Sequence, residues 1–305
     1  HAQLFLGGEG SGNLAIAIAY AQYLVCENPG EDSCGKCPAC IKMNKLAHPD
    51  VSFSYPIASS KSKNVESKPK SSDYANEWRE AMLDNPYLNY NDWVEQLDIE
   101  NKQGIISAEE CQDIIRRLSL KSFEHGYKIV IIWLPEKLFH AAAPKLLKII
   151  EEPPDQTVFL LVAENYEEII STITSRTQLV KLQHLSDEEI AISLVEKLKI
   201  DKVMAKKIAH RSDSNYREAL LMASNDTAED DDAKLFLQWM RDCYGLKVKE
   251  IGDFVDTIAD RPREKQKVFL RTSLQIAREC LMLNYAHHSM IRMEEEELAS
   301  FKKFA

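Results

Sequence analysis

No stretch of this 305-residue chain approaches the apolar length needed to cross a bilayer, so no helical membrane span is expected. Basic residues are in short supply. The 38 Lys and Arg face 48 Asp and Glu, giving a formal net charge of −10. That balance argues against a surface devoted as a whole to nucleic acid, although it leaves room for a local basic patch. A basic groove interleaved with aromatics is also missing. No signal peptide is visible, and His1 leads straight into a strand-like run without an initiating Met, so the numbering is expected to begin inside a longer protein. Cysteines number seven, and three of them (Cys111, Cys243, Cys280) are scattered. This usage suits a reducing, cytoplasmic setting better than a disulfide framework. What remains is an ordinary globular composition, 45% hydrophobic and 28% charged, long enough for two or three domains with cores of their own.

A more informative absence lies near the start. Gly7-Gly8-Glu9-Gly10-Ser11-Gly12-Asn13-Leu14 follows the apolar run Leu4-Phe5-Leu6 and opens a helical segment to about Val25. That is the strand, glycine loop, helix arrangement whose backbone N–H groups cradle phosphates. A working loop then needs Lys to neutralise the outer phosphates and Ser or Thr to hold Mg²⁺. Asn13 and Leu14 stand in those two places. Gly7, Gly10 and Gly12 keep the turn, and the two chemical groups are gone.

The second half of such a site is missing too. Lys128-Ile129-Val130-Ile131-Ile132-Trp133 reads as a strand buried on both faces. In a working ATPase it would end in Asp-Glu, for the metal and the attacking water. Here it ends Leu134-Pro135-Glu136, and in neither register does an Asp support a metal. One chance substitution does not explain two damaged halves.

Four cysteines crowd into one polar loop, as Cys26-x₇-Cys34-x₂-Cys37-x₂-Cys40. Tight Cys-x₂-Cys turns offer thiolates to one tetrahedral Zn²⁺, and Gly35 suits the sharp turn between two of them. With all four positions filled by protein, the metal is expected to be structural. Buried free thiols or a disulfide pair are the alternative reading.

Along the rest of the chain, Val51 to Tyr55 alternates as a half-buried strand and residues 58–73 read as a solvated loop. Residues 74–98 read as an inserted helical segment whose Trp78, Tyr87, Tyr90 and Trp93 pack together, within an insert spanning about 58–104. A capping box at Ser107 and Glu110 predicts a helix carrying Ile114, Ile115 and Leu118 on one side. A helix from about Ala142 to Glu151 stops at Pro153-Pro154. Strand Val158 to Val162, a short helix near Tyr166 to Ile170 and strand Gln178 to Leu182 follow. The alternation predicts a mostly parallel sheet covered on both faces. From the capping box Ser186 and Glu189 onward, everything reads as helix, with Asp226 to Asp232 as an acidic linker. Amphipathic stretches include Leu235-Phe236-Trp239 and Leu274-Ile276-Ala277-Leu281, and Glu294 to Glu297 reads as a solvated helix face.

Taken together these stretches resemble the bacterial clamp-loader subunits, which are AAA+ proteins. Leu146-Leu147-Lys148-Ile149-Ile150-Glu151-Glu152-Pro153-Pro154 is similar to that family's Leu-Leu-Lys-x-Leu-Glu-Glu-Pro-Pro signature, and the cysteine module sits where these subunits carry zinc. Ser175-Arg176-Thr177 falls on the family's Ser-Arg-Cys and departs from it at Thr177. Loss of both nucleotide motifs resembles the delta-prime branch of DNA polymerase III rather than the ATP-hydrolysing gamma/tau branch. The resemblance implies an α/β AAA+ P-loop domain over 1–183 with a parallel sheet and a zinc-module insertion, an all-α lid over 184–228, and part of a helical collar over 229–305 that oligomerises through apolar helix faces. It implies ATP neither bound nor hydrolysed by this chain, and Arg176 reaching in trans into a neighbouring ATPase site, where a guanidinium stabilises the transferring phosphoryl group. A local ion pair at a strand start is the plainer reading of Arg176. Arg217 resembles the sensor-2 arginine of the lid, with a structural ion pair as its alternative. The implied partners are the gamma/tau and delta subunits, the sliding clamp and primed DNA. Two rivals stay open: a gamma-like loader ATPase with an unusual loop, and a zinc-dependent nucleic-acid-binding protein.

Overall fold

The computed structural model describes residues 1–58, 69–97, 103–124, 126–139, 143–224, 228–261 and 263–285. They cluster into two compact units, the first of His1–Leu185 with Ser214–Arg217 and the second of Ser186–Asp213 with the chain from Glu218 onward.

In the first unit β1 (Ala2–Leu6) runs into the glycine loop and α1 (Asn13–Val25) leaves it. The cysteine loop ends in α2 (Pro38–Met43), where Pro38 opens the helix at a position whose N–H has no intrahelical partner anyway. Then come β2 (Val51–Ser54), a 3₁₀ turn at Ser71–Tyr74, α3 (Ala75–Asp84), α4 (Tyr90–Gln96) and α5 (Ala108–Ser119). β3 (Lys128–Trp133), a 3₁₀ turn at Pro135–Lys137, α6 (Ala143–Glu151), β4 (Thr157–Ala163), α7 (Ser171–Thr174) and β5 (Gln178–Lys181) complete it. The sheet order is β2-β3-β4-β1-β5, and every pairing is parallel.

The sheet is buried on both faces, which is why its central strands read as unbroken apolar runs. Side chains alternate between two cores. Ile129, Ile131, Trp133, Leu160 and Val162 meet Leu14, Ala17 and Ala21 of α1 on one face. Val130, Ile132, Phe159 and Leu161 meet Ile114 and Leu118 of α5 and Leu146 and Ile150 of α6 on the other. The insert's aromatics join the first face: Trp78 stacks on Tyr55 with centroids 4.1 Å apart and meets Trp93 edge-on at 5.2 Å.

The second unit is all helix: α8 (Asp187–Leu198), α9 (Lys202–Arg211), α10 (Tyr216–Ser224), α11 (Ala228–Tyr244), α12 (Val248–Ala259) and α13 (Arg263–Tyr285). The first two residues of α10 cluster with the first unit. Phe236, Phe269 and Ile276 form the core of the last three helices, with Trp239 stacked on Phe254 at 4.8 Å.

Several expectations need correction. Ser107 does cap α5, but Glu110 does not close the box. Its carboxylate is fully buried and accepts the Ser71 N–H at 2.8 Å, because that buried donor offers a partner and the helix end does not need one. The short helix expected near Tyr166 to Ile170 is a turn there, and the helix sits at Ser171–Thr174. Of the expected loop 58–73, residues 59–68 lie outside the described residues, while Ser71 and Tyr74 are buried in a 3₁₀ turn. Of the expected acidic linker, 226 and 227 lie outside the described residues, and Ala228 already opens α11. Asp232 is buried and pairs with Arg261 at 2.6 Å, so it ties α11 to the turn between α12 and α13. On α13 the buried face carries Phe269, Ser273 and Ile276, whereas Leu274 and Leu281 are exposed. Glu294 to Glu297 lie outside the described residues.

Candidate functional site

The glycine loop folds as a phosphate loop, and its replaced residues have taken structural work. Gly10 and Gly12 hold φ of 74° and 77°, a left-handed turn that non-glycine residues rarely adopt. The Asn13 amide is buried and donates to Gly7 O at 3.0 Å and to Ala163 O at 3.1 Å. Its oxygen accepts the Leu14 N–H at 2.9 Å. The group in the lysine's place therefore ties the end of β1 to the end of β4. Leu14 lies in the apolar core and offers nothing to a metal.

Beyond β3 the chain turns through Leu134 at φ 56° into Pro135. Glu136 accepts the Glu164 N–H at 3.0 Å, and burial holds its carboxyl above the usual range. A cleft of about 210 Å³ opens here, lined by Glu9, Glu136, Glu164 and Glu168 against the single cation Lys137. Burial, and after it the charges of Glu9 and Glu136, push Glu164 up to about 7. Carboxylates that already compete for protons are poor company for a polyphosphate.

Arg217 is buried, and its guanidinium grips the Asp92 carboxylate in a fork, Nε to Oδ2 at 2.7 Å and Nη2 to Oδ1. Nη1 lies 3.5 Å from Glu9 Oε1. The alternative drawn from sequence, an ion pair, is what the structure contains. Neither acidic partner was singled out from sequence. Glu9 sits inside the loop, but Asp92 is 125 residues from Arg217 and belongs to the insert.

Arg176 stands just ahead of β5, partly exposed. Its Nε lies 3.1 Å from Glu151 Oε2 and Nη1 donates to Thr172 O at 3.0 Å. Glu151 belongs to the Glu-Glu-Pro-Pro signature, so the arginine and the signature are spatial neighbours. A pair this exposed is weak and exchangeable.

The four cysteines come together. Among the described residues the Sγ atoms of Cys26, Cys34, Cys37 and Cys40 form a candidate metal cluster, all within 4.8 Å of one another. Zn–S bonds of ~2.3 Å in a tetrahedron put sulfurs roughly 3.8 Å apart, and the Cys34 and Cys40 sulfurs lie 4.0 Å apart. Backbone N–H groups of Cys34, Cys37 and Cys40 point at the sulfurs of Cys26, Cys34 and Cys37, at 3.3, 3.3 and 3.4 Å. Such donors favour thiolate. The Lys36 and Cys37 N–H groups hold Cys34 down at about 6, while burial raises Cys40. The donor set fits a soft or borderline cation with no open ligand position.

A family model described as DNA polymerase III, delta subunit, matches residues 1–186, more than half of the chain. The chain belongs to that family. Among curated relatives, the DNA polymerase III subunit delta' of Haemophilus influenzae is 28% identical over 63% of this chain and 45% of its own length. That of Bacillus subtilis is 25% identical over 77% and 57%, and that of Escherichia coli 27% identical over 59% and 41%. The chain thus spans about half the length of the curated relatives it matches. A DNA polymerase III gamma subunit-related protein from Thermotoga maritima overlaps 83% of this chain and 71% of its own at 16% identity, with a TM-score of 0.34. The delta-prime branch expected from the two damaged motifs is therefore where these curated relatives fall, and the parallel α/β sheet with helices after it is as expected.

Proposed function

We propose that the chain is a clamp-loader subunit that does not hydrolyse ATP and that lends Arg176 to a neighbouring subunit's ATP. The observation that carries the first half is Asn13, whose amide occupies the lysine's place and is fully engaged by Gly7 O and Ala163 O. Leu14 in the core and the carboxylate-lined cleft support the same reading, because Leu14 has no hydroxyl for Mg²⁺ and the carboxylates repel phosphate rather than neutralise it. They count against the gamma-like ATPase, and the net charge of −10 counts against a free-standing nucleic-acid binder.

For Arg176 the support is position. It leans on the signature residue Glu151, is one-third exposed at its side chain, and can leave a surface pair at little cost. Cys26, Cys34, Cys37 and Cys40 would hold one structural Zn²⁺, stapling the loop between α1 and α2. Lys42 and His48, which follow the module, both pair with Glu124, fixing it to the first unit. We read residues 184–228 as a lid and 229–305 as part of a collar. Exposed Leu270, Leu274 and Leu281 lie on one stripe of α13, as a face for partner helices would. The proposed partners are gamma/tau and delta subunits, with the sliding clamp and primed DNA reached in the assembled complex. Its proposed place is the cytoplasm, and among the described residues no helix is long and apolar enough to cross a membrane.

The test is equilibrium binding of a fluorescent ATP analogue to the isolated chain, with turnover measured in parallel. No saturable binding and no turnover are expected. Turnover lost on replacing Glu136 would revive the ATPase reading.

A further inference from the structure

The N-terminus of α1 is what the loop keeps of a phosphate-binding site. Gly12 precedes it and offers no side-chain cap, while the Leu14 N–H is taken by the Asn13 oxygen at 2.9 Å. The turn is nevertheless packed against by the insert. A Cβ placed on Gly12 would lie 3.1 Å from Tyr87 Cε1, so the tyrosine ring rests directly on the turn. Tyr87 in turn packs on Tyr216, with centroids 4.6 Å apart. The Tyr216 N–H donates to Gly10 O at 3.3 Å, and a Cβ on Gly10 would strike Asn215 Oδ1 at 1.9 Å. Asn215, Tyr216 and Arg217 belong to the four-residue segment that clusters with the first unit, so all these contacts are internal to it.

Charge follows the same pattern. Arg217 brings one positive charge to the loop, and two carboxylates meet it, Asp92 by the fork and Glu9 at 3.5 Å. Each is itself held. Asp92 accepts the Asn89 N–H at 3.3 Å in the capping box that starts α4, and the Asn89 amide donates to Glu9 Oε1 at 2.8 Å. A planar guanidinium that would otherwise grip phosphate oxygens grips a carboxylate with the same fork. The insert thus supplies a ring over the turn, an anion for the arginine and an amide for the loop's own acid.

We infer that the inserted segment Tyr87–Asp92 is a built-in plug of the phosphate loop, with the Asp92 carboxylate serving as the standing anion of Arg217. The inference rests on the proposed function only in taking the loop to hold no nucleotide, and it is independent of Arg176. The plug keeps a vestigial site rigid that would otherwise be an open, partly charged depression in a non-binding subunit.

Hydrogen–deuterium exchange on the full chain tests it, comparing wild type with Asp92→Asn and with the exchanged pair Asp92→Arg/Arg217→Asp. Loss of a charge-assisted fork is worth ~1.5–3 kcal/mol, so amides of Gly7–Leu14 and of Ser214–Arg217 are expected to exchange about tenfold faster or more in Asp92→Asn. Peptides of β3 and β4 serve as the folding control and are expected to be unchanged. The exchanged pair is expected to regain much of the protection. Unchanged exchange at both stretches in Asp92→Asn overturns the plug, and so does faster exchange spread evenly over β3 and β4. Replacing Arg176 leaves these rates where they are, so failure of the trans-acting role is told apart from failure of the plug.

Discussion

Asn13 bonds to carbonyls at the ends of two parallel strands, and its loss would leave Gly7 O short of a buried donor, while Ala163 O keeps the Gly7 N–H at 3.2 Å. An unpaired buried group costs ~1–3 kcal/mol. Asn13→Ala is therefore expected to lower stability by about 1–3 kcal/mol in urea unfolding, beyond an ordinary surface change. Glu164 makes a second expectation at this scale. Its carboxyl is held up at about 7 from an ordinary 4.5, so the folded chain keeps a proton that the unfolded chain releases as pH rises between those values. Stability from this group is full below pH 4.5 and is lost as pH climbs to 7. Glu164→Gln is expected to remove that slope and to gain about 1–3 kcal/mol over wild type at pH 8. Thermal melts across the pH range measure it, with Glu110 and Glu136, also held up by burial, sloping the same way in both proteins.

Among the elements, the four-cysteine module, with its proposed zinc, makes the sharpest expectation. Metal analysis of the purified chain is expected to give one zinc per chain. Stripping it with a strong chelator, or making Cys37→Ser, is expected to raise amide exchange in α2 while β3 and β4 stay protected. A stoichiometry far from one removes the site. This module was legible because four ligands sit within fifteen residues, and the central strands were legible because burial on both faces leaves uninterrupted apolar runs. The same local pattern misled at Ser107. Ser186 and Glu189 lie exposed and close their box reciprocally, at 2.8 and 3.2 Å, whereas Glu110 is buried where Ser71 N–H needs an acceptor. Two tetrads of the same Ser-x-x-Glu pattern thus diverge through their tertiary surroundings. Asp92, the partner of Arg217, escaped notice for a related reason: no periodicity or spacing links an insert carboxylate to an arginine 125 residues on. The position of Arg176 was readable, but its pairing with Glu151 depends on α7, just ahead of it, packing in one core with the signature helix α6.

On the scale of the whole molecule, the account assigns scaffold and chemistry to different chains. The first unit keeps a parallel sheet, a glycine loop and a signature helix, and in the proposed function the ATP chemistry lies outside its own loop. Assembly then has to come from surfaces. The α13 stripe is one, and Leu274→Asp with Leu281→Asp is expected to abolish co-elution with gamma/tau and delta subunits while leaving the far-UV spectrum unchanged, since neither side chain is in the core. Undiminished co-elution places the assembly surface elsewhere. The central claim is that the catalytic contribution lies in a neighbour's site. It is tested most directly by ATP turnover of the complex reconstituted from this chain, gamma/tau and delta subunits, with clamp and primed DNA, comparing wild type with Arg176→Ala. Arginine fingers are worth ~10³–10⁵ in rate where one finger serves one site, so a loss of about tenfold or more is expected when one site of several is affected and the complex still assembles. Equal turnover with and without the Arg176 guanidinium, in complexes of the same composition, would contradict the account.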